Sequence, residues 1–316
     1  MVCSELVHET VLLEEAVYAL SVGSQDFVVD CTFGRGGHSA AILERLGPQG
    51  RLLALDRDYE AFGSAQAKRL AQDERFEIAH VPFSELGNQV KSRGVDGEVA
   101  SILFDLGVSS PQLDDPDRGF SFMRDGPLDM RMNKLAGQTA ADWVNTAAED
   151  ELARVFRIYG EERFSKRIAR AISDYRKSCE FKSTGELSKV IDLAIPFREK
   201  GKHPATRCFQ AIRIFLNREL EELEEALDQA VSLLRPGGRL AVISFHSLED
   251  RIVKRFIRSE ERGEGGSAES FIYGGSSRNS GRLIKVGKAI FPSAHEVERN
   301  PRARSAVLRV AERVKS

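Results

Sequence analysis

The sequence contains few cysteines and no long apolar run. Four cysteines occur among its 316 residues, and no two of them form a C-x-x-C pair. Cysteines scattered in this way argue against a disulfide framework or a cysteine-ligated metal, and they predict reduced thiols in the cytosol. No stretch approaches the roughly 20 apolar residues that a membrane helix needs, and the N-terminus lacks the basic-then-apolar pattern of a secretion signal. We therefore expect a cytoplasmic protein with no membrane segment and no metal.

A strong excess of charge of either sign is also missing. The formal net charge is -2, with 30% charged and 41% hydrophobic residues, which is typical of a soluble globular protein. A chain of this length forms one large domain or two modest ones. Because the overall charge does not indicate a nucleic-acid-binding protein, such a function must depend on local charge. Residues 151–218 carry 16 Lys and Arg against 8 Asp and Glu, a local charge of +8.

The chain is organised around the stretch Asp26–His38, DFVVDCTFGRGGH. A short apolar run ends in Asp30, and Gly34, Gly36 and Gly37 follow before a helical pattern begins. A strand, a glycine-rich turn and a helix in this order form the nucleotide sites of α/β proteins, because glycine lets backbone N–H groups approach a ligand. The dinucleotide pattern G-x-G-x-x-G is missing, which argues against an oxidoreductase.

Three predicted strands end in an acidic residue. Asp30, Asp56 and Asp105 close the runs FVVD, RLLALD and VASILFD, and helical patterns separate these strands. Strands that alternate with helices form a parallel sheet, and ligands bind beyond the carboxyl ends of its strands. Asp56 follows the glycine turn by about twenty residues, where a carboxylate accepts hydrogen bonds from a ribose diol. The two features predict an adenosine-type ligand; the alternative is that each acid only caps the next turn.

Apolar periodicity and turn residues predict the remaining elements. They are a helix at residues 8–20 capped by Thr10, a long structured loop at 106–133, helices alone at 139–196, one long helix from 204 past 227, a strand at 240–245, a mobile segment at 260–282 and a strand pair at 288–291 and 305–310. We therefore predict an α/β domain that is interrupted after its fourth strand by an all-helical insertion.

The basic helical segment offers two sets of candidate residues for polyanion binding. Lys166, Arg167 and Arg170 have few acids nearby and are candidate phosphate contacts. The predicted long helix carries four polar residues on one face, suited to bases or phosphates: Thr206, Gln210, Arg213 and Asn217. For both sets, a solvated and salt-bridged face is the alternative.

Longer strings around these features resemble one family. The acid-glycine turn, the acid after the second strand and a late L-x-P-G-G-x-L strand are similar to those of class I S-adenosylmethionine-dependent methyltransferases. DCTFGRGGHS, FDLGVSSPQLDDPDRGFSFMRDGPLDMRM, HPATRCFQAIRI and ISFHSLEDRIVKRF resemble the bacterial 16S ribosomal RNA (cytosine N4)-methyltransferases, over about His8 to Arg313. The resemblance implies a Rossmann-like, mostly parallel methyltransferase sheet with an all-helical insertion. It implies S-adenosylmethionine as cofactor and a cytidine N4 amine in the decoding region of 16S rRNA as substrate.

The resemblance also assigns residues. The cofactor contacts that it implies are Gly36, Gly37, His38, Asp56, Phe83, Asp105 and Gln112. It places Asp105 near the transferring methyl group, as the catalytic candidate that accepts a hydrogen bond from N4; a carbonyl of the loop at 106–109 is the alternative acceptor. Many amine methyltransferases have Asn/Asp-Pro-Pro-Tyr/Phe at this point. Because this chain has Asp-Leu-Gly-Val, the aromatic partner of the base must come from elsewhere.

The same resemblance implies a division of labour along the chain. Residues 1–110 and 217–316 form the cofactor domain, and residues 111–216 form the insertion that recognises RNA. The implied partner is 16S rRNA or the small ribosomal subunit, and the oligomeric state stays open, a homodimer included. A non-catalytic RNA-binding or ribosome-assembly factor is the second hypothesis, and it would not need the glycine turn and Asp56 together.

Overall fold

The computed structural model describes residues 10–197, 203–263 and 281–315. The strands in these ranges are β1 (Phe27–Asp30), β2 (Arg51–Asp56), β3 (Phe76–His80), β4 (Val99–Asp105), β5 (Leu234–Ser244), β6 (Leu283–Lys285) and β7 (Val307–Arg313). They form one sheet in the order β3-β2-β1-β4-β5-β7-β6. The pairs among β1 to β5 are parallel, and β7 is antiparallel to both of its neighbours.

This strand order is the Rossmann order 3-2-1-4-5-6 with one antiparallel strand inserted beside the fifth. The predicted Rossmann-like, mostly parallel sheet is therefore confirmed. Both of its faces are covered by apolar side chains. On β1, Val28 packs into one apolar cluster and Val29 into another, because successive side chains of a strand point to opposite faces. Strand β4 is buried along almost its whole length, because apolar clusters cover both faces of the sheet.

Helices alternate with the strands and then occur alone. Before β4 lie α1 (Leu13–Leu20), α2 (Gly37–Arg45), α3 (Tyr59–Phe62), α4 (Ala65–Leu70) and α5 (Leu86–Lys91). After β4 come α6 (Ser110–Asp114), α7 (Ala140–Thr146), α8 (Glu149–Tyr159), α9 (Ser165–Tyr175), α10 (Thr184–Ala194) and α11 (Ala205–Leu216). The last three are α12 (Glu219–Leu233), α13 (Ser247–Arg262) and α14 (Ala294–Arg299). Short 3-10 turns lie at Phe83–Glu85, Pro116–Arg118 and Pro301–Ser305.

The chain divides into two compact units, with boundaries after Gly107 and after Glu219. The sheet unit contains all seven strands. The helical unit, Val108–Glu219, contains α6 to α11 and has an apolar core of its own, in which Trp143 meets Phe156 edge-on at 6.3 Å between ring centroids. Its described residues contribute no strand to the sheet. The predicted all-helical insertion after the fourth strand is confirmed.

One predicted element proves to be two. The long helix predicted from residue 204 onwards is divided into α11 and α12 by Arg218, whose φ of +50° is incompatible with a right-handed helix. The side chain of the preceding Asn217 is buried, and its amide donates to the carbonyl of Met130 at 2.9 Å and accepts from the N–H of Met132 at 2.8 Å. These partners lie more than eighty residues away in the chain, so apolar periodicity carries no sign of the break.

The predicted C-terminal strand pair is half wrong. Strand β7 overlaps the predicted second strand at residues 307–310, but it pairs with β6 rather than with a strand at residues 288–291. Gly287 has a φ of +67° and interrupts the extended backbone after β6. Ile290 keeps one isolated bridge to Leu308.

The predicted mobile segment at 260–282 is held at both of its ends. Glu260 is buried, and its carboxylate lies 2.6 Å from the guanidinium of Arg282. This pairing is a contact between residues 22 apart, which composition does not reveal. Residues 264–280 of the predicted segment lie outside the described residues.

Three local predictions also need correction. Thr10 does not cap the first helix, which begins at Leu13 after a left-handed Leu12 whose N–H donates to Glu296 at 2.7 Å. The loop predicted at 106–133 contains α6 and a 3-10 turn. The helix predicted after β2 is two short helices, α3 and α4. Among the described helices, none has both the length and the apolar character that a membrane crossing requires.

Candidate active site

The acidic ends of three strands meet where the strand order reverses. Strands β2 and β4 flank β1, and the register pairs Asp30 with Ala54 on one side and with Leu103 on the other. Connections from β1 and β4 leave the sheet in opposite directions, which opens a crevice at their carboxyl ends. Asp30, Asp56 and Asp105 all lie at this edge, as the sequence predicts.

The glycine turn links β1 to α2. Gly34 has a φ of +54°, and its N–H donates to Oδ2 of Asp56 at 2.7 Å, so the turn is fixed to the end of β2. Gly36 has a φ of +75° and caps α2; a Cβ at this position would lie 2.6 Å from the ring of Phe33. A Cβ on Gly37 would lie 1.9 Å from Oγ1 of Thr10. The last two glycines are therefore required by packing inside the protein, in addition to any close approach of a ligand.

Asp56 is half-buried and its carboxylate is already oriented. One oxygen accepts from the N–H of Gly34, and the other accepts from the N–H of Asp58 at 2.8 Å. Burial raises the pKa of Asp56 to about 6, and the two N–H donors only partly offset it. A carboxylate has about four acceptor positions, so two stay available for hydroxyl groups of a ligand. The geometry suits the ribose contact that the sequence predicts.

Asp30 has an internal function. It is fully buried, and its two oxygens accept from the hydroxyl of Ser39 at 2.6 Å and from the N–H of Thr32 at 3.1 Å. Burial raises its pKa, while these hydrogen bonds and the charge of His38 act against that effect. Asp30 therefore joins the end of β1 to the first turn of α2. A position at the end of a strand is compatible with an internal role and with a ligand contact. The sequence therefore could not show which of the two Asp30 has.

Asp105 is held by two residues of the neighbouring turn. Its N–H donates to Oγ1 of Thr32 at 2.7 Å, and its Oδ2 lies 3.5 Å from Nδ1 of the buried His38. Burial lowers the pKa of His38, but the hydrogen bond to Asp105, the charge of Asp105 and the charge of Asp30 outweigh it, so the pKa of His38 is raised. The sequence predicts His38 and Asp105 separately and gives no sign of their contact. Thr32, two residues before Gly34, was missed.

The other predicted cofactor residues are Phe83 and Gln112. Phe83 is half-buried in the sheet unit and meets Phe104 of β4 edge-on, with ring centroids 5.7 Å apart. Gln112 belongs to the helical unit and is buried. Its Oε1 accepts from the N–H of Ser109 at 2.9 Å, so it completes the N-terminal cap of α6. Cofactor contact by these two residues stays a prediction.

The first set of basic candidates is on the surface. Lys166, Arg167 and Arg170 are exposed along α9 in the helical unit. Arg170 lies 3.9 Å from Asp174, and both side chains are largely in solvent, where such a pair contributes little. The three residues are accessible to a polyanion, and RNA contact stays a prediction for them.

The second set does not form the common exposed face that helical spacing predicted. Thr206 is exposed, and Nε2 of Gln210 donates to the carbonyl of Tyr159 at 3.3 Å. Arg213 makes a two-point ion pair with Glu219, at 2.8 and 2.9 Å, and Asn217 is buried at the helix break described above. Asn217 leaves the predicted face because the chain turns there and folds its side chain inward. RNA contact by Thr206, Gln210 and Arg213 stays a prediction.

The site has open hydrogen-bond acceptors that suit an adenosine ligand with a polar tail. Oδ1 of Asp105 is buried and has no hydrogen-bond partner among the described residues. An unpaired buried acceptor costs about 1–3 kcal/mol, which a ligand donor would offset. Together with the two open acceptor positions of Asp56 and the turn at Gly34, it offers contacts at both ends of such a ligand.

A Rossmann-like sheet with an inserted antiparallel strand, a glycine turn and acids at the ends of β2 and β4 define a class I methyltransferase. The chain belongs to the MraW methylase family, which it matches over residues 5–314. S-adenosylmethionine is accordingly its cofactor.

Solved structures similar to this chain include two methylases. One is an rRNA-methylase candidate from Clostridium thermocellum, with 13% identity, a TM-score of 0.45 and coverage of 98% of this chain and 100% of that one. Another is an rRNA methylase from Streptococcus thermophilus, with 13% identity, a TM-score of 0.41 and full coverage of both chains. The family assignment depends on the family match, since these structural likenesses are too distant to carry it.

Proposed function

We propose that this protein methylates the exocyclic N4 amine of a cytidine in the decoding region of 16S rRNA, within the small ribosomal subunit. Membership of a methylase family supports the reaction class. The resemblance of the strings around the site to the cytosine N4 enzymes supports the substrate. The observation that carries the proposal is the buried, unpaired Oδ1 of Asp105 at the end of β4.

The chemistry requires an acceptor at this position. The lone pair of cytosine N4 is conjugated into the ring, so the amine is a poor nucleophile until the nitrogen pyramidalises. A carboxylate oxygen that accepts an N4–H hydrogen bond favours this change of shape. S-adenosylmethionine supplies an activated methyl group on its sulfonium. Because transfer is an in-line displacement, holding the amine in position lowers the barrier.

The residues around Asp105 fix the direction of its carboxylate. The bond from its N–H to Thr32 holds the end of β4, and His38 occupies the Oδ2 side at 3.5 Å. Because the pKa of His38 is raised, more of the imidazole is protonated at a given pH than in a free histidine. A protonated His38 donates to Oδ2, and Oδ1 is left as the acceptor for substrate. His38 is thus a positioning residue in this proposal.

The helical unit supplies the RNA-binding part of the proposal. Lys166, Arg167 and Arg170 are exposed, and the segment 151–218 has a local charge of +8. A cytidine must leave its stack to reach a carboxylate at a strand end. Unstacking costs a few kcal/mol and costs least in looped or single-stranded RNA, which suits a decoding-region target.

The test is mass spectrometry of 16S rRNA from a strain that lacks the gene. We expect one cytidine to lose a single N4-methyl group, and the wild-type gene to restore it. The Asp105→Ala gene should not restore it, whereas Asp73→Asn, a surface change on the turn before β3, should. An unchanged methylation pattern in the deletion strain would contradict the proposed substrate.

A further inference from the structure

The helical unit contains a cavity that is separate from the strand ends of the sheet unit. Its enclosed volume is only about 30 Å³, so a ligand contacts the open mouth of the cavity and the side chains around it. Its walls come from the residues that precede α9, from two residues that follow α10, and from the start of α11 with the two residues before it. The lining residues that matter below are Arg163, Phe164, Phe197, His203, Thr206 and Arg207. None of them belongs to the site of Asp56 and Asp105.

An arginine that contacts two aromatic rings forms one wall. The guanidinium carbon of Arg163 lies 4.8 Å from the ring centroid of Phe164 and 4.4 Å from that of Phe197. Among the described residues, Arg163 has no carboxylate partner. The side chain of Arg163 is exposed, and its guanidinium carries five N–H donors that are available to an anion.

Phe197 offers apolar surface at the mouth of the cavity. It is 55% exposed although Arg163 and Phe164 already pack against it. The π-face of a phenylalanine binds any nucleobase by stacking. The ring therefore provides a base-stacking surface directly beside a cation.

Two further lining residues carry hydrogen-bond donors. Nδ1 of His203 accepts from the N–H of Ala205 at 3.2 Å, so its Nε2 carries the proton and is a donor. The His203 ring packs on Phe122 at 4.6 Å between centroids, which fixes its plane. Arg207 lies 3.8 Å from the buried Glu162, and this acid is the one carboxylate among the lining residues.

We propose that this cavity binds one nucleotide of the RNA substrate, with its base stacked on Phe197 and its phosphate on Arg163. The proposal rests on the proposed function, in that the substrate is RNA. A cation, an exposed aromatic face and a neutral donor in one cavity match the phosphate, base and ribose of a single-stranded nucleotide. The bound nucleotide is a different one from the nucleotide that is methylated, because no residue of the Asp105 site lines the cavity.

Substitutions of Phe197 and of Arg163 should change RNA binding in different ways. The experiment measures the affinity of the full chain for a fluorescein-labelled single-stranded RNA of decoding-region sequence by anisotropy, over a series of salt concentrations. Phe197→Ala should weaken binding about 5- to 150-fold at an unchanged salt slope, because it removes stacking. Arg163→Gln should weaken binding and reduce the slope of log affinity against log salt by about 0.7, the value for one phosphate contact on a single strand.

Two matched controls lie outside the cavity. Leu193→Ala removes an apolar side chain that is 83% exposed on α10, and Lys68→Gln removes an exposed cation on α4 of the sheet unit; neither lines the cavity. Both should bind RNA like the wild type. All four variants should bind S-adenosylhomocysteine normally by calorimetry, which shows that each is folded. Phe197→Tyr should restore the affinity that Phe197→Ala loses.

Three outcomes would overturn all or part of the inference. If the wild type methylates RNA while Phe197→Ala and Arg163→Gln bind it as the controls do, the cavity assignment is wrong and the proposed function stands. If the wild type binds S-adenosylhomocysteine but neither binds nor methylates RNA, the proposed function and the cavity assignment fall together. A loss of affinity with equal changes in salt slope for both variants would overturn the separate roles of Phe197 and Arg163.

Discussion

Cofactor affinity should depend on pH through Asp56. Its pKa is raised from 3.8 to about 6, with burial as the main cause. Hydroxyl donors of a ribose bind the ionised carboxylate more strongly than the neutral acid. We therefore predict that affinity rises as the pH increases through 6 and levels off above about 7. The raised pKa also means that the free energy of unfolding of the ligand-free protein falls as Asp56 ionises between about pH 4 and 6. Ligand binding offsets this loss.

The size of the effect follows from the pKa and from the strength of one charged hydrogen-bond group. With a pKa of about 6, Asp56 is roughly nine-tenths ionised at pH 7 and one-tenth ionised at pH 5, so affinity should fall about tenfold over this range. Hydrogen bonds to a charged group contribute about 1.5–3 kcal/mol. Asp56→Ala should therefore weaken binding by about 10- to 150-fold at pH 7.5.

The assay is isothermal titration calorimetry with S-adenosylhomocysteine between pH 5 and pH 7.5. The variant Asp56→Asn keeps the size of the side chain and cannot ionise, so its affinity should be low and nearly flat with pH. Asp73→Asn is the matched control. Arg75 lowers the pKa of Asp73 to about 2, so Asp73 does not titrate between pH 5 and pH 7.5. The Asp73→Asn variant should therefore show the affinity and the pH dependence of the wild type.

Two results would refute this reasoning. A flat wild-type profile would mean that the charge of Asp56 does not contribute to binding. A tenfold pH dependence that persists in Asp56→Asn would assign the titration to another group, and the contact of His38 with Asp105 would be the first to examine. Circular dichroism at each pH shows whether the fold is intact.

Three further predictions concern chemistry, RNA and stability. Asp105→Ala should lower the single-turnover rate at saturating S-adenosylmethionine far more than it lowers cofactor affinity, because its contact to N4 is strongest in the transition state; full recovery of the rate would contradict this. Changing Lys166, Arg167 and Arg170 together to Glu should weaken RNA binding and flatten its salt dependence at unchanged cofactor affinity, and an unaltered salt slope would identify a solvated face. The pKa of His38 is raised above 6.5, so its contribution to stability is complete below that pH and is lost as the pH rises through the raised value. The melting temperature of His38→Gln should thus differ most from the wild type below pH 6.5, and an equal difference at all pH values would exclude a charged His38.

The sheet could be predicted from the sequence because each strand is indicated by the residues of its own short segment. Each parallel strand is a short apolar run, buried on both faces, and a helix of recognisable period follows it. Element bounds failed where a long-range contact decides them. The break between α11 and α12 depends on the bonds of Asn217 to Met130 and Met132, and the start of α1 depends on Glu296. No local pattern contains these partners.

The sequence by itself determined most of the residues at the candidate site, although not Thr32, because strand ends, glycines and acids can be recognised in order along the chain. Asp56 and Asp105 were predicted in this way. Only the tertiary structure decided what each does. It made Asp30 an internal acceptor, brought His38 to 3.5 Å from Asp105 and turned Asn217 inward. The physical reason is that burial and the distance between charges, which set hydrogen bonding and pKa, exist only after distant segments have packed together.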